Sequence, residues 1–326
     1  MNSKLFLLCK FMRIGNNPEK LNKTLTIDSY HRVIIPVYIP NLEEDYFKDG
    51  LKILKLCLET LLQTIHSKTR ISLINNNSCK VVSDYLQTLY NSNSNIDQLL
   101  LSKNNVGKVN AIYSAIKSNL EPLITISDAD VMFLSRWQEE VEKVLNSFPE
   151  AGMVSPVPSS KAYSSKFINS TIFYALTKGN LAFTDVLQPE AMINFQESIG
   201  RTDMYNKQHL SKYLTINNNS CKAVIGCGHF VATYKRCLFD NNLPFTNYSL
   251  GGTSEMLYLD LPAPQKNMWR LTTEYNFAYH MGNTVERWML KKLDELDKEE
   301  VKTIVFPSNT QFIKKNTPFL YFVKQR

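Results

Sequence analysis

Two aspartates one residue apart, Asp128 and Asp130, are the residues whose type and spacing point most directly to chemistry. They follow the apolar run 123–126, so both carboxylates come directly after a predicted buried strand. Burying two carboxylates without a partner is costly, and a divalent cation such as Mg²⁺ or Mn²⁺ would satisfy them while also binding phosphate oxygens of a substrate. The alternative is a solvent-exposed turn in which the two side chains cap backbone amides.

His280 and Glu255, much later in the chain, also have side chains suited to this chemistry. His280 ends the aromatic, strand-like run 275–279, and an imidazole completes mixed oxygen–nitrogen metal sites. Glu255 follows the stretch 251–254 and begins a predicted helix, where a carboxylate in a cleft can act as a general base. The alternatives are a structural histidine and a glutamate that only complements the helix dipole.

Strands and helices alternate through the first half of the chain. Apolar and β-branched runs predict strands at 33–40, 71–74, 99–101, 123–126 and 153–157, with helices at 51–66, 79–90, 107–118 and 135–147. This alternation indicates βαβ units and a mostly parallel sheet. Such sheets bind ligands at the carboxyl ends of their strands, so the polar clusters 75–78, 104–108 and 128–130 predict a cleft at one edge.

The alternation stops at about residue 159 and returns near 223. The stretch 159–222 is rich in Ser, Asn, Thr and Tyr, and an amphipathic helix is predicted at 284–300. The helix at 135–147 is expected to begin with a capping box formed by Ser135 and Gln138.

Composition fits a globular protein that needs no disulfides. The 326 residues are 44% hydrophobic and 21% charged, and the six cysteines show no CxxC spacing, which indicates reduced core thiols. There is no run of 18 apolar residues and no signal-peptide pattern, so the sequence predicts a soluble, cytoplasmic protein.

The net charge of +7 is concentrated at the two ends of the chain. Residues 1–32 carry a net +4 and residues 302–326 a net +5, which leaves −2 for the body. Basic ends beside apolar residues suit peripheral contact with an anionic membrane at the inner face of the cell membrane, and plain solubilising tails are the equal alternative. No basic run is long and no recognition motif accompanies it, so nucleic acid is not a predicted partner.

The order and spacing of six elements resemble the family 2 glycosyltransferases of the GT-A fold, over roughly residues 31–283. The matching elements are Pro36 and Tyr38, then 75–78, then Asn105, Gly107 and Lys108, then Asp128 and Asp130, then Gly226 and Gly228, and finally Glu255 followed by His280. Two positions depart from the family pattern. Asn75 replaces the usual aspartate that contacts the nucleotide base, and Ser254 replaces one acid of the usual pair.

The resemblance implies an inverting, metal-dependent transfer of a hexosyl or N-acetylhexosaminyl group. The donor is a nucleotide-diphosphate sugar, with a UDP-sugar favoured, and the acceptor is a hydroxyl of a glycan or lipid-linked molecule in surface polysaccharide synthesis. Mn²⁺ or Mg²⁺ is the implied cofactor. The implied roles are metal binding for Asp130 and His280, general base for Glu255, and donor binding for Pro36, Tyr38, Asn75, Lys108 and Asp128.

The same resemblance implies the fold and the domain organisation. The expected fold class is α/β, with a GT-A type, Rossmann-like, mostly parallel sheet flanked by helices, an acceptor-side insertion and a C-terminal helical extension. A basic N-terminal extension (1–30) precedes the glycosyltransferase domain (31–283), and a C-terminal helix and basic tail (284–326) follow it. Within the domain, a nucleotide-binding half spans about 31–158 and an acceptor-side half about 159–283.

Two other functions stay open at this point. A nucleotidyltransferase would use a similar α/β sheet, but it needs a glycine-rich phosphate loop after the first strand, and residues 36–41 contain no glycine. A non-catalytic nucleotide-sugar-binding or carbohydrate-binding protein would explain the departures at Asn75 and Ser254.

Overall fold

The apolar runs in the first half of the chain form strands of one sheet, and the amphipathic segments between them form helices. The computed structural model describes residues 15–20, 25–164, 169–178, 181–218, 220–239, 245–251, 253–296 and 301–303. The strands are β1 (His31–Val37), β2 (Thr69–Asn76), β3 (Ile96–Ser102), β4 (Leu123–Ser127), β5 (Val131–Phe133), β6 (Ala151–Ser155), β7 (Leu181–Asp185), β8 (Lys212–Asn217), β9 (Lys222–Ile225), β10 (Val231–Lys235), β11 (Trp269–Thr272) and β12 (Ala278–His280).

The helices fall mostly where helical periodicity predicts them. The α-helices are α1 (Gly50–Thr64), α2 (Lys80–Ser92), α3 (Lys108–Lys117), α4 (Trp137–Ser147), α5 (Asn169–Lys178), α6 (Pro189–Ser198), α7 (Pro262–Gln265) and α8 (Arg287–Asp294). Three 3₁₀ turns lie at Pro18–Lys20, Ser160–Ser164 and Arg236–Phe239, and a π-helical turn lies at Met256–Asp260.

Ten of the strands form one sheet in the order β3-β2-β1-β4-β10-β6-β11-β9-β8-β7. Pairing is parallel between β1 and β2, β2 and β3, β1 and β4, and β6 and β11, and antiparallel elsewhere. Seven strands therefore run in one direction, while β7, β9 and β10 run in the other. The mostly parallel sheet is confirmed, and an antiparallel strand, β10, lies beside its central strand β4.

Helices cover both faces of the sheet because the strands alternate their apolar side chains. On one face Val33 and Ile35 of β1 belong to the same buried cluster as Leu54 and Leu58 of α1. On the other face Ile34 belongs to a cluster with α3 and α7. A third cluster joins α4 and α5 to the later strands. The result is a three-layer α/β arrangement, a mostly parallel sheet flanked by helices on both faces, as expected.

One local expectation was wrong. No capping box starts α4: the helix begins at Trp137, its N-cap is Arg136 in a left-handed conformation (φ 70°), and no side chain caps it. Gln138 is instead buried, where its amide group donates to the Thr69 hydroxyl at 2.8 Å. Within the stretch 159–222, where the predicted alternation stops, β7 and β8 extend the sheet beyond β9.

Several predicted features lie wholly or partly outside the described residues. These are parts of the N-terminal extension (1–14 and 21–24), residues 297–300 of the predicted C-terminal helix, and the basic tail from 304 onward. In the described part α8 ends at Asp294. Cys57, Cys79, Cys221, Cys227 and Cys237 are free thiols, as predicted. None of the helices within the described ranges is long and apolar enough to cross a membrane.

Candidate functional site

The aspartate pair leaves the centre of the sheet at the carboxyl end of β4. The Asp128 amide donates to the Phe230 carbonyl at 2.8 Å, which ties the end of β4 to the residue before β10. The Ser127 hydroxyl donates to the Asp128 carbonyl at 2.9 Å. Asp130 follows two residues later and β5 starts immediately after it. Both carboxylates are half-buried at the predicted edge.

A small antiparallel sheet of β5 and β12 brings His280 to Asp130 across 150 residues of sequence. His280 pairs with Val131, and the Met281 amide donates to the Asp130 carbonyl at 2.8 Å. As a result His280 Nε2 lies 3.4 Å from Asp130 Oδ2. The structure therefore brings together the two residues proposed from the sequence as a metal-binding pair.

The environment of His280 fixes which ring nitrogen carries the proton. The Gly282 amide donates to His280 Nδ1 at 3.2 Å, and the Ser198 hydroxyl, which donates to the Phe195 carbonyl at 2.7 Å, lies 3.0 Å from the same nitrogen. Because a backbone amide can only donate, Nδ1 is an acceptor and the proton of the neutral ring is on Nε2, toward Asp130. A cation bound at Asp130 would take the place of that proton.

The Asp130 carboxylate has the environment of a cation ligand. Its Oδ1 atom is buried, and no hydrogen bond to it is found among the described residues. Burial raises the pKa of Asp130, His280 and Lys108 oppose that rise, and the charge of Asp128 adds to it. A buried carboxylate oxygen beside an imidazole nitrogen fits Mn²⁺ or Mg²⁺, and such a cation would also bind substrate phosphate oxygens.

Lys108, the first residue of α3, joins the second aspartate to Glu255. Its Nζ lies 2.5 Å from Asp128 Oδ1 and also binds Glu255 Oε1. Burial lowers the pKa of Lys108, but the charges of Asp128 and Glu255 outweigh it and raise that pKa well above its usual range. Burial likewise raises the pKa of Glu255, and the nearby Lys108 outweighs it, so the pKa of Glu255 is lowered. Glu255 is therefore an ionised carboxylate.

The turn before Lys108 is held by two asparagine side chains at adjacent strand ends. Asn76 at the end of β2 donates to Asn105 Oδ1 at 2.9 Å and accepts from the Val106 amide at 2.9 Å. Asn105 Oδ1 also accepts from the Gly107 amide at 2.9 Å. These bonds fix the start of α3 and so the position of Lys108.

Gly107 allows the chain preceding Glu255 to approach this turn. Its φ is 86°, and a Cβ there would lie 2.6 Å from the Tyr248 carbonyl oxygen. The Lys108 amide donates to the Ser249 carbonyl at 2.9 Å. The Asn-x-Gly-Lys element thus has a structural reason: only glycine leaves room for the segment that leads to Glu255.

Two of the predicted donor-binding residues lie at the end of β1. Pro36 is half-buried, and Tyr38 is 42% exposed with its ring edge-on to Phe47 at 6.3 Å between centroids. An exposed aromatic ring at a strand end can stack on a flat ligand.

Asn75, another of the predicted donor-binding residues, forms hydrogen bonds within the turn after β2. It is 5% exposed; its amide donates to the Ser83 hydroxyl at 2.8 Å and its oxygen accepts from the Ser78 amide at 2.8 Å. It pairs with Val37, so it lies beside the end of β1. Each polar atom of Asn75 is thus already engaged once, and its role toward a ligand stays a prediction.

His229 is a further residue of this edge that no motif in the sequence singles out. This residue comes just before the antiparallel strand β10, whose Val231 pairs with Ser127, and so it lies at the same edge as Asp128. Its Nδ1 is 2.9 Å from Asp260 Oδ2 and its Nε2 is 3.8 Å from Glu255 Oε1. The sequence shows only a single histidine after Gly228. The antiparallel direction of β10, which brings this histidine near the aspartates, has no signal in the sequence.

A second group of potential metal ligands lies at the other end of β1. Ligand atoms of His31, His66 and Glu142 fall within 4.8 Å of one another, and all three side chains are fully buried. Glu142 accepts from His31 Nδ1 at 2.6 Å, His66 Nε2 at 3.0 Å and the Tyr30 hydroxyl at 2.8 Å. The Lys68 amide donates to His66 Nδ1 at 3.2 Å, which keeps the His66 proton on Nε2. The group is satisfied as a hydrogen-bond network, whereas Asp130 is not.

An open cavity of about 650 Å³ lies elsewhere, between α4 and the loop 273–277. Arg136, Lys143, Lys222 and Glu274 are among its lining residues, and none of the predicted site residues is. These charges are paired with each other or with neighbours, as in the 2.8 Å pair of Lys222 and Glu274. The edge at Asp128 is therefore a better candidate for the functional site than this cavity.

Comparisons with known proteins find likeness only among solved structures. No protein-family model matches the sequence, and no curated protein matches it. Similar structures include TarS 1–349 from S. aureus (12% identity, TM-score 0.46, 77% of this chain and 60% of that chain) and its complex with UDP-GlcNAc (12%, 0.45, 83% and 68%). A third is the mannosyltransferase PcManGT from Pyrobaculum calidifontis in complex with GDP-Man and Mn²⁺ (16%, 0.37, 66% and 47%).

Proposed function

We propose that the protein is a metal-dependent glycosyltransferase. It transfers a sugar from a nucleotide-diphosphate sugar to a hydroxyl of a glycan or lipid-linked acceptor. The observation that carries the proposal is the buried, unbonded Oδ1 of Asp130 beside His280 Nε2, next to the Asp128–Lys108–Glu255 ion pairs. A cation ligand pair and a separate ionised carboxylate at one strand edge are the parts that this transfer needs.

Asp130 and His280 would hold the cation, and Asp128 would contact both the cation and the donor. When bound, Mn²⁺ or Mg²⁺ would neutralise the negative charge that develops on the leaving diphosphate. In this proposal Lys108, whose Nζ lies between two carboxylates at this edge, also binds donor oxygens. Pro36, Tyr38 and Asn75 line the base pocket, and a UDP-sugar is the favoured donor.

Glu255 accepts the proton of the attacking hydroxyl. It lies across Lys108 from Asp128. In this proposal the donor binds on the Asp128 side and the acceptor on the Glu255 side. Attack from the side opposite the leaving group inverts the anomeric centre. The acceptor binds the half from about 159 to 283, which supplies Glu255 and His280, while the half from about 31 to 158 binds the nucleotide.

The basic ends of the chain support a second proposal, peripheral contact with an anionic membrane during surface polysaccharide synthesis. Sedimentation with vesicles of anionic lipid tests it. Binding that weakens with added salt supports the proposal. Binding that is absent, or insensitive to salt, leaves the ends as solubilising tails.

Turnover of a donor panel tests the proposed function. The purified protein is incubated with UDP-, GDP- and dTDP-sugars and Mn²⁺, and release of nucleoside diphosphate is measured with and without EDTA. Metal-dependent release from one donor class is the expected result. Metal-dependent binding without release from any donor would favour the non-catalytic alternative. Release of pyrophosphate from a nucleoside triphosphate and a sugar phosphate would favour a nucleotidyltransferase.

A further inference from the structure

His229 is a polar group of the site that the proposed reaction does not yet use. Its Nδ1 lies 2.9 Å from Asp260 Oδ2, and Asp260 Oδ1 accepts from Arg270 at 2.6 Å. Because Arg270 is always cationic and both residues are buried, Asp260 is held as a carboxylate. It must therefore accept a proton from His229 Nδ1, which leaves the Nε2 lone pair pointing away from Asp260.

The far side of the His229 ring faces Glu255. Nε2 lies 3.8 Å from Glu255 Oε1, which is longer than a hydrogen bond but within reach of one bridging water or a small closing movement. Among the described residues, no hydrogen bond to Nε2 is found. The side chain is 32% exposed, so solvent can reach it.

The backbone holds His229 firmly in this position. Gly226 has φ 90° and lies so close to Ala162 that a Cβ would be 2.6 Å from the Ala162 Cβ. Phe230, the next residue, stacks on Phe195 with 5.1 Å between centroids. Asp260 ends the same π-helical turn that Glu255 precedes, so the acceptor of Nδ1 and the neighbour of Nε2 come from one element. Such π-helical turns are frequent at functional sites.

The charges around His229 give it a higher proton affinity than Glu255. Burial lowers the pKa of His229, but the hydrogen bond and charge of Asp260 and the charge of Glu255 outweigh it and raise that pKa above 6.5, against a smaller opposing effect of Lys108. The pKa of Glu255 is lowered from 4.5, as described above. A proton taken up by Glu255 is therefore more stable on His229.

We propose that His229 is the terminal proton acceptor of the transfer reaction, with Glu255 as the first acceptor and Asp260 as the residue that positions the imidazole. This inference rests on the proposed function. The acceptor O–H bond breaks as its oxygen bonds to the anomeric carbon, and the proton moves to Glu255 Oε1. The electron pair of the anomeric C–O bond leaves with the diphosphate. The proton then passes to His229 Nε2 and exchanges with solvent, which regenerates the Glu255 carboxylate.

The test compares His229→Asn with the wild type and with His209→Asn, a histidine substitution at a turn away from the site. Asparagine keeps a donor for Asp260 but cannot take up a proton. For each protein, kcat is measured from about pH 5 to about pH 9, and donor affinity is measured by calorimetry. In the wild type, kcat should decrease at pH values below the raised pKa of His229, because an imidazolium cannot accept the proton. This decrease is the acidic limb of the pH profile.

The His229→Asn variant should lose about 10- to 100-fold in kcat at pH 8. Its kcat should also no longer decrease toward acidic pH as the wild-type kcat does, while donor affinity and the melting temperature stay unchanged. Asp260→Asn should move the limb to lower pH, since the largest influence raising the His229 pKa is removed. His209→Asn should match the wild type. An unchanged kcat, an equal loss at every pH, or a loss confined to donor affinity would overturn the relay.

Failure of the relay can be distinguished from failure of the proposed function. A wild type that turns over no nucleotide-sugar contradicts the function before any variant is compared. A wild type that turns over a donor, with an unchanged pH profile in His229→Asn, contradicts the relay alone.

Discussion

Single residues of the site differ in how their charge is compensated, and that difference separates their roles. Asp130 is a carboxylate with one buried oxygen that no described group binds, and its pKa is raised by burial. Glu255 is a carboxylate held ionised by Lys108. The first is suited to a cation, and the second to accepting a proton only as a bond forms.

Asp130→Ala should abolish metal-dependent donor binding. Removing one of two side-chain ligands should weaken donor affinity in Mn²⁺ by at least about 100-fold, since second-shell changes alone typically cost 10- to 100-fold. Calorimetric titration with the donor measures the loss. Asp203→Ala removes an exposed aspartate that pairs with Arg201 and serves as the matched control. Equal donor affinity in the two variants would remove Asp130 from the metal site.

Glu255→Gln should separate binding from turnover. Glutamine preserves the shape of the side chain but cannot take the acceptor proton, so kcat should fall by about 10²- to 10⁴-fold while donor affinity changes little. Steady-state kinetics and calorimetry provide the two readouts. Glu59→Gln, at an exposed position of α1, is the control. Normal turnover in Glu255→Gln would show that another group is the base.

Elements of the fold hold these residues at fixed distances through two kinds of contact. The β5–β12 pairing sets His280 against Asp130, and the close approach of residues 248–249 to Gly107 sets Lys108 against Glu255. At the other end of β1, a buried network around Glu142 ties β1 and the start of β2 to α4. The candidate site and this buried network thus lie at opposite ends of the same strands.

Gly107→Ala should destabilise the protein and disturb the site together. The added Cβ meets a backbone carbonyl at 2.6 Å in a left-handed conformation, so a loss of about 1–3 kcal/mol in the free energy of unfolding is expected. Gly200→Ala is the matched control, because Gly200 also has positive φ (70°) but has no atom within 4 Å of the added Cβ. Urea unfolding of both variants measures the difference. Similar losses of unfolding free energy in the two variants would mean that the close approach at Gly107 does not contribute to the destabilisation.

The buried histidine of the Glu142 network should make stability depend on pH. Burial lowers the pKa of His31 below 6.5, against the opposing influence of Glu142. The unfolded state then binds the proton more readily, so the contribution of His31 is complete above pH 6.5 and is lost as the pH falls through the folded value. The stability advantage of the wild type over His31→Asn should therefore shrink between about pH 7 and about pH 5 in urea unfolding. An advantage independent of pH would contradict this.

The whole molecule shows which parts of the architecture sequence patterns can predict. Strands β1 to β4 and helices α1 to α3 are parallel βαβ units, whose apolar runs and local turns carry their own signal. The pairing of β5 with β12 and the antiparallel direction of β10 depend on contacts between distant segments, for which periodicity gives no signal. Asp130, His280 and Glu255 were predicted from motif order, whereas His229 was missed because its position depends on β10.

Metal-dependent donor binding is the most direct measurement of the central claim. Calorimetric titration of the protein with UDP-, GDP- and dTDP-sugars, in Mn²⁺ and again in EDTA, reports whether the edge at Asp128 and Asp130 binds a nucleotide-sugar through a cation. The predicted result is saturable binding of one donor class that needs Mn²⁺ or Mg²⁺ and disappears in EDTA. Binding of no donor, or binding of equal strength in EDTA, would contradict the proposed function.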